Sequence, residues 1–72
     1  MSVALIINIE PTEPYETYNL LCSDKTIRYI SISLLLNKPK IGDYVIYNTR
    51  DYIIYDTIIP NDYIRDLIYW EN

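Results

Sequence analysis

The chain has no histidine and no phenylalanine, and only one glycine and one cysteine among its 72 residues. The lack of histidine removes the usual general base and the usual nitrogen ligand of a metal ion. A single glycine excludes a glycine-rich phosphate loop and a dinucleotide-binding fingerprint. One cysteine can form neither an intrachain disulfide nor a cysteine zinc cluster, so we expect a reducing, cytoplasmic setting. These gaps predict a protein that is not an enzyme and has no cofactor, no metal site and no catalytic residues.

Length and charge set further limits. The 72 residues predict one domain, residues 1–72, and 50% of them are hydrophobic, as in an ordered globular chain. Ten acidic residues outnumber six basic ones, for a net charge of -4, which disfavours nucleic acid as a partner. Residues 4–9 are apolar but short and lack a basic flank, so we expect neither a signal peptide nor a membrane span.

Short β-rich runs separated by polar or proline-containing loops fill most of the chain. In residues 26–36, Ile30, Ile32, Leu34 and Leu36 fall on one parity, which predicts one strand with these four side chains facing the core. The other predicted strands span residues 3–9, 18–22, 44–47 and 52–59, the last two as a hairpin. Strands of this length predict a small antiparallel barrel between residues 3 and 59.

The pattern changes period near the end of the chain. Asn61 is a suitable helix cap, and Ile64, Leu67 and Ile68 recur at the spacing of one helix face. A helix over residues 61–70, packed on the barrel through this stripe, is therefore predicted.

Tyrosine is over-represented, with nine copies, more than so small a core can enclose. Some tyrosines should therefore lie at the surface, where aromatic residues often bind proteins and can also stack on unpaired bases. Replacement of phenylalanine by tyrosine on half-buried strands is the simpler alternative. On the predicted helix, Tyr63, Tyr69 and Trp70 are the candidate protein-binding residues. Cys22 lies in an apolar strand pattern and is expected to be a buried structural thiol.

Three segments resemble the HypC/HupF hydrogenase-maturation family of small β-barrel chaperones. The start, Met1-Ser2-Val3-Ala4-Leu5, is similar to the family's opening Met-Cys-Leu-Ala-Ile, with Ala4 kept and Ser2 in place of the cysteine. Residues 27–35 are similar to its Val-Arg and following strand. Four further positions match its Val-Gly-Asp-Tyr-Val segment, namely Gly42, Asp43, Tyr44 and Val45.

The resemblance implies a mainly β fold, a HypC-like or OB-like antiparallel barrel closed by one C-terminal helix. It also implies docking to a larger protein client, a maturation or assembly partner. In the family the cysteine helps to carry an iron fragment, and a serine hydroxyl is a far poorer ligand than a thiolate. We therefore expect an assembly factor without the iron chemistry. Two alternatives stay open, a single-stranded nucleic-acid module and an acidic inhibitor of a nucleic-acid enzyme, as does homo-oligomerisation.

Overall fold

The computed structural model describes residues 2–35 and 37–68 and contains six strands and one helix in that part of the chain. The elements are β1 (Ser2–Glu10), β2 (Thr17–Cys22), β3 (Ile27–Ile30), β4 (Ile32–Ser33), β5 (Tyr44–Asn48), β6 (Ile53–Ile58) and α1 (Asp62–Ile68). The prediction of a mainly β chain with a C-terminal helix is confirmed.

All six strands belong to one sheet in the order β3-β2-β1-β5-β6-β4. The four other neighbouring pairs are antiparallel, but β4 pairs with β6 in parallel, so the expectation of a purely antiparallel sheet is wrong. The two edge strands, β3 and β4, follow each other in the chain with Ser31 alone between them. The sheet therefore curls until its edges meet at Ser31, although no ladder joins β3 to β4 and the sheet is not closed.

The single strand predicted over residues 26–36 is in fact divided at Ser31. Ile30 pairs with Tyr18, one residue from the start of β2. Beyond Ile30 the chain has no β2 residues left to pair with, and it crosses to pair with β6. The crossing reverses the faces: Ile30 is buried, but Ile32 and Leu34 are 50% and 59% exposed. Leu35, of the opposite parity, packs on the core instead. The predicted inward positions of Ile32 and Leu34 are thus wrong, and Leu36 lies outside the described residues.

The core fills the inner, concave face of the curled sheet. Alternate residues of β1 and β2 point into it, and a bulge at Ile7 shifts this alternation so that Ile9, and not Asn8, packs inward. The buried cluster consists of Ala4, Ile6, Tyr18, Leu20, Cys22, Ile30, Val45, Tyr47 and Ile54. Cys22 is thus buried, as predicted.

The helix begins after Asn61, whose side-chain oxygen accepts the Ile64 N–H at 2.9 Å as an N-cap does. It packs against β1, with Ile68 fully buried and Ile64 half-buried. Leu67 is 40% exposed, so its predicted place on the packed face is wrong: with only seven helical residues, the narrow buried stripe reaches Ile64 and Ile68 at i, i+4. Among residues 2–35 and 37–68, no helix is long and apolar enough to cross a bilayer.

Candidate protein-binding surface

The segment that carried the family resemblance forms a tight turn held against β1. The Asp43 N–H donates to the Lys40 carbonyl at 3.0 Å, and Gly42 has a φ of 95°, the arrangement of a type II turn with glycine at its third position. The Asp43 carboxylate accepts the Lys40 N–H at 2.9 Å. Gly42 and Asp43 also exchange backbone hydrogen bonds with Ile6 at 2.8 and 2.9 Å. Their role in the fold is to fix the entry to β5.

The remaining motif positions meet because β1 and β5 pair. Ala4 lies opposite Val45, and both are fully buried, while half-buried Tyr44 lies opposite Leu5. The fold thus brings Ala4, Tyr44 and Val45 together as a strand pair. These three positions stabilise the pairing of the two central strands.

Ser2, the residue in place of the family cysteine, starts β1 opposite Tyr47. It lines a crevice between β1 and α1, together with Val3, Ser23, Ile64, Leu67 and Ile68. The only side-chain polar atoms of this lining are two serine hydroxyls. Hydroxyls are poor ligands for a soft metal, so the crevice does not fit an iron fragment.

Elsewhere in the described part of the chain, no group of three Cys, Asp or Glu side chains is placed to hold a metal ion. The buried thiol of Cys22 lies beside the Tyr47 phenol and the Arg28 guanidinium. Burial, followed by the hydrogen bond with Cys22, raises the pKa of Tyr47 to about 12, while the nearby Arg28 acts in the opposite direction. A neutral phenol and an enclosed thiol are not a nucleophile with its base.

A polar groove lies between the β1–β2 loop and the segment after β4, but its groups satisfy each other. The Lys38 ammonium donates to Glu16 at 2.7 Å, and the Thr17 hydroxyl lies 2.7 Å from Thr12 and 3.1 Å from Ser31. These bonds hold the loop in place. We therefore interpret the groove as the place where the β1–β2 loop is held against the segment after β4.

The exposed side of α1 is different, since it combines apolar and acidic groups that nothing in the described chain covers. Tyr63 and Leu67, at i, i+4, are 69% and 40% exposed, and Ile59 just before the helix is 95% exposed. Asp62 and Asp66 are exposed on the same helix. Of the predicted binding residues, Tyr63 thus lies at the surface, whereas Tyr69 and Trp70 lie outside the described residues.

A second exposed apolar pair lies on β3, where Ile27 and Tyr29 are 46% and 63% exposed. Both occupy the outer face of the sheet, because Arg28 and Ile30 between and after them point inward. Sequence reasoning placed Tyr29 on the outer face but did not select it as a binding residue. The available signal was the shared parity of Ile27 and Tyr29.

Surface tyrosines were predicted, and four of the described ones are exposed, namely Tyr15, Tyr29, Tyr52 and Tyr63. Three basic residues lie close to a carboxylate of the described chain: Arg28 at 3.6 Å, Lys38 at 2.7 Å and Arg65 at 3.8 Å. Such pairs reduce the positive charge available to a phosphate backbone.

Comparisons of the chain with protein-family models, with curated proteins and with solved structures find no match. The geometry of these surfaces is therefore the basis for assigning a function.

Proposed function

We propose that this protein is a non-catalytic accessory or assembly factor that binds a protein client, and that its docking surface includes the exposed side of α1. The observation that supports this most is the pair formed by Tyr63 and Leu67 at i, i+4 on α1, which leaves large apolar side chains in water on a chain of 72 residues. Contiguous exposed apolar groups are typical of protein-interaction sites.

The chemistry of the client follows from the charges beside this apolar group. Asp62 and Asp66 lie one turn apart on α1, and the Asp62 side chain is almost fully exposed despite its 3.8 Å contact with Arg65. A client that offers lysine or arginine beside an apolar pocket would complement this surface. Nucleic acid would meet acidic groups here, which is why protein is the favoured partner.

Of the two roles implied by the HypC/HupF resemblance, the proposal includes docking to a protein client and leaves out the carrying of an iron fragment. The hydroxyl-only crevice at Ser2 supports the omission. The near meeting of the sheet edges at Ser31 supports a barrel-like description, HypC-like or OB-like in outline. A cytoplasmic location belongs to the same proposal.

The purified protein is expected to contain no stoichiometric iron, nickel or zinc by elemental analysis, and about one metal per chain would contradict this expectation.

The test is client capture from the native host with a matched pair of variants. Tyr63→Ser removes an exposed ring from α1, and Tyr15→Ser removes an equally exposed ring from the β1–β2 loop, 69% against 65%. We expect Tyr63→Ser to weaken binding of the captured protein by about 2 kcal/mol or more, as an aromatic anchor does. Tyr15→Ser should bind as wild type. Equal binding by both variants would refute docking through α1.

A further inference from the structure

The two edges of the sheet are treated differently by the fold. At one edge β4 is only two residues long, and the segment after it runs beside Tyr55, Asp56 and Thr57 of β6, with which it lines a pocket. That segment contains Lys38 and Pro39. Short strands, lysine and proline are the usual protections against pairing with another chain. At the other edge, β3 has four residues and pairs with β2 alone.

The backbone of β3 presents hydrogen-bonding groups to the outside. The Cys22 N–H donates to the Thr26 carbonyl at 2.9 Å, and bonded pairs alternate along an antiparallel ladder. Leu20–Arg28 is therefore the next bonded pair, so Ile27 and Tyr29 point their N–H and C=O groups away from β2. No hydrogen bond from the described residues reaches these groups.

The side chains of this edge also suit an added strand. Ile27 and Tyr29 are β-forming residues exposed on the outer face, without a lysine, a glutamate or a proline between them. Arg28 points to the inner face, where its Nε is buried without a hydrogen-bond partner among the described residues. Its Nη2 lies 3.6 Å from Asp24, too far for a good hydrogen bond. The Arg28 side chain also has a hydrogen bond with Tyr47, but it is still 32% exposed, so its accessible N–H groups can donate to a carboxylate on an added strand.

We propose that the β3 edge binds an extended segment of the client as an additional antiparallel strand. The segment would carry β-branched or aromatic residues opposite Ile27 and Tyr29, and a glutamate or aspartate between them, opposite Arg28. Backbone hydrogen bonds provide affinity in this mode, and alternate side chains provide specificity. The inference names how the client is held, and so it rests on the client-binding proposal.

A second copy of this chain fits the edge less well. The pairing that uses both outward positions would join Ile27 of each copy to Tyr29 of the other, and it would place the two Arg28 residues directly opposite each other. Like charges in directly opposed positions are unfavourable. Each copy also carries a net charge of -4.

The first experiment uses a defined probe, the peptide acetyl-Lys-Thr-Val-Glu-Val-Thr-Lys-amide. At a concentration of about ten times its Kd, amide exchange of Ile27 and Tyr29, followed by NMR, should slow by about tenfold. Two N-methylated versions are the matched controls. Methyl groups on the two valine amides, which would face β3, should weaken binding by about tenfold or more, whereas one on the glutamate amide, which would face away, should have a much smaller effect.

A pair of protein variants tests the same edge from the other side. Tyr29→Pro removes the outward N–H, and Tyr29→Thr removes the same ring but keeps that N–H and a strand-forming residue. Proline is tolerated on edge strands where its nitrogen faces solvent, so the fold should persist. Tyr29→Pro should bind the peptide at least about tenfold more weakly than Tyr29→Thr. If the proline variant fails to fold, the methylated peptides decide, since they leave the protein unchanged.

Three results would overturn strand addition: no slowing at Ile27 and Tyr29 with about 1 mM peptide, equal binding of the two methylated peptides, or equal binding by the two folded Tyr29 variants. Client capture separates this failure from failure of the proposed function. If a client binds Tyr29→Pro normally but not Tyr63→Ser, strand addition is refuted and client binding through α1 stands. If the peptide binds at β3 but no client is captured, strand addition at this edge stands and the client-binding proposal is refuted.

Discussion

Gly42 adopts a φ of 95°, a conformation that side chains with a Cβ rarely take. A Cβ built there meets nothing within 4 Å, so the cost of substitution lies in the backbone and not in a collision. We expect Gly42→Ala to lower the free energy of unfolding by about 1–2 kcal/mol, measured by urea denaturation. Ile41→Ala, at a 60% exposed position of the same turn, should change it by less than about 0.5 kcal/mol. Equal effects would show that φ does not matter here.

Tyr47 should make the free energy of unfolding decrease at alkaline pH. Its pKa is about 12 in the fold against 10.0 for the free side chain, with burial as the first cause. Because the folded state holds this proton more tightly, the stabilisation is complete below pH 10 and is lost as the pH rises towards 12. Tyr47→Phe, which cannot titrate, should show a shallower decline in denaturation experiments over this range. A decline as steep as that of wild type would exclude Tyr47 as its source.

Single residues show how far the sequence could lead. Gly42-Asp43-Tyr44-Val45 was expected to open a strand, and it does, because turn chemistry is local and the glycine requirement is visible in the chain. The burial of Cys22 was also predicted from its apolar surroundings. The contact between Cys22, Tyr47 and Arg28 was not, since it depends on strands that are distant in sequence.

At the scale of elements, α1 carries two adjacent aliphatic residues that differ in burial. Ile68 is fully buried, whereas Leu67 is 40% exposed. Ile68→Ala should therefore destabilise the protein by about 2–5 kcal/mol, and Leu67→Ala by about 1 kcal/mol or less. Thermal and chemical denaturation of the two variants measures the difference. A larger loss for Leu67→Ala would mean that the helix packs through its other face.

The elements themselves were predictable where the pattern is local. The β5–β6 hairpin and the helix start at Asn61 follow from turn and cap residues. The division at Ser31 does not, because the alternation of residues 26–36 continues without a break in the sequence. The reversal follows from the start of β2 at Thr17, beyond which β3 has no partner, so the faces of Ile32 and Leu34 change. Periodicity identifies a face but not the sheet edge to which it belongs.

At the scale of the whole molecule, charge predicts weak binding to nucleic acid. Arg28, Lys38 and Arg65 lie within 4 Å of a carboxylate of the described residues, and the net charge of the chain is -4. Fluorescent single-stranded DNA and RNA should therefore show no submicromolar binding at about 150 mM salt in an anisotropy titration. A basic single-stranded-DNA-binding domain serves as the positive control. Tight binding that weakens steeply with added salt would favour the nucleic-acid alternative.

The candidate surface as a whole was only partly predictable. Tyr63 could be selected from the helix pattern, but the open edge at Ile27 and Tyr29 could not, because strand order in a sheet is decided by pairings across the entire chain. The same reason explains why the parallel β4–β6 pair was missed. Sequence reasoning found the right classes of element and placed them in too regular an architecture.

The central position of β1 also determines how the chain should fold. The β1–β2, β2–β3 and β5–β6 pairs each join neighbouring segments, whereas the β1–β5 pair joins segments from the two halves of the chain. Closing so long a loop costs more conformational entropy than closing a hairpin, and non-local pairing slows folding. We expect the local strand pairs to form early and the β1–β5 ladder to complete the rate-limiting step. Substitutions in the hairpin turns, and at Ala4 or Val45, should then slow refolding more than they speed unfolding, because these contacts are formed by the end of that step.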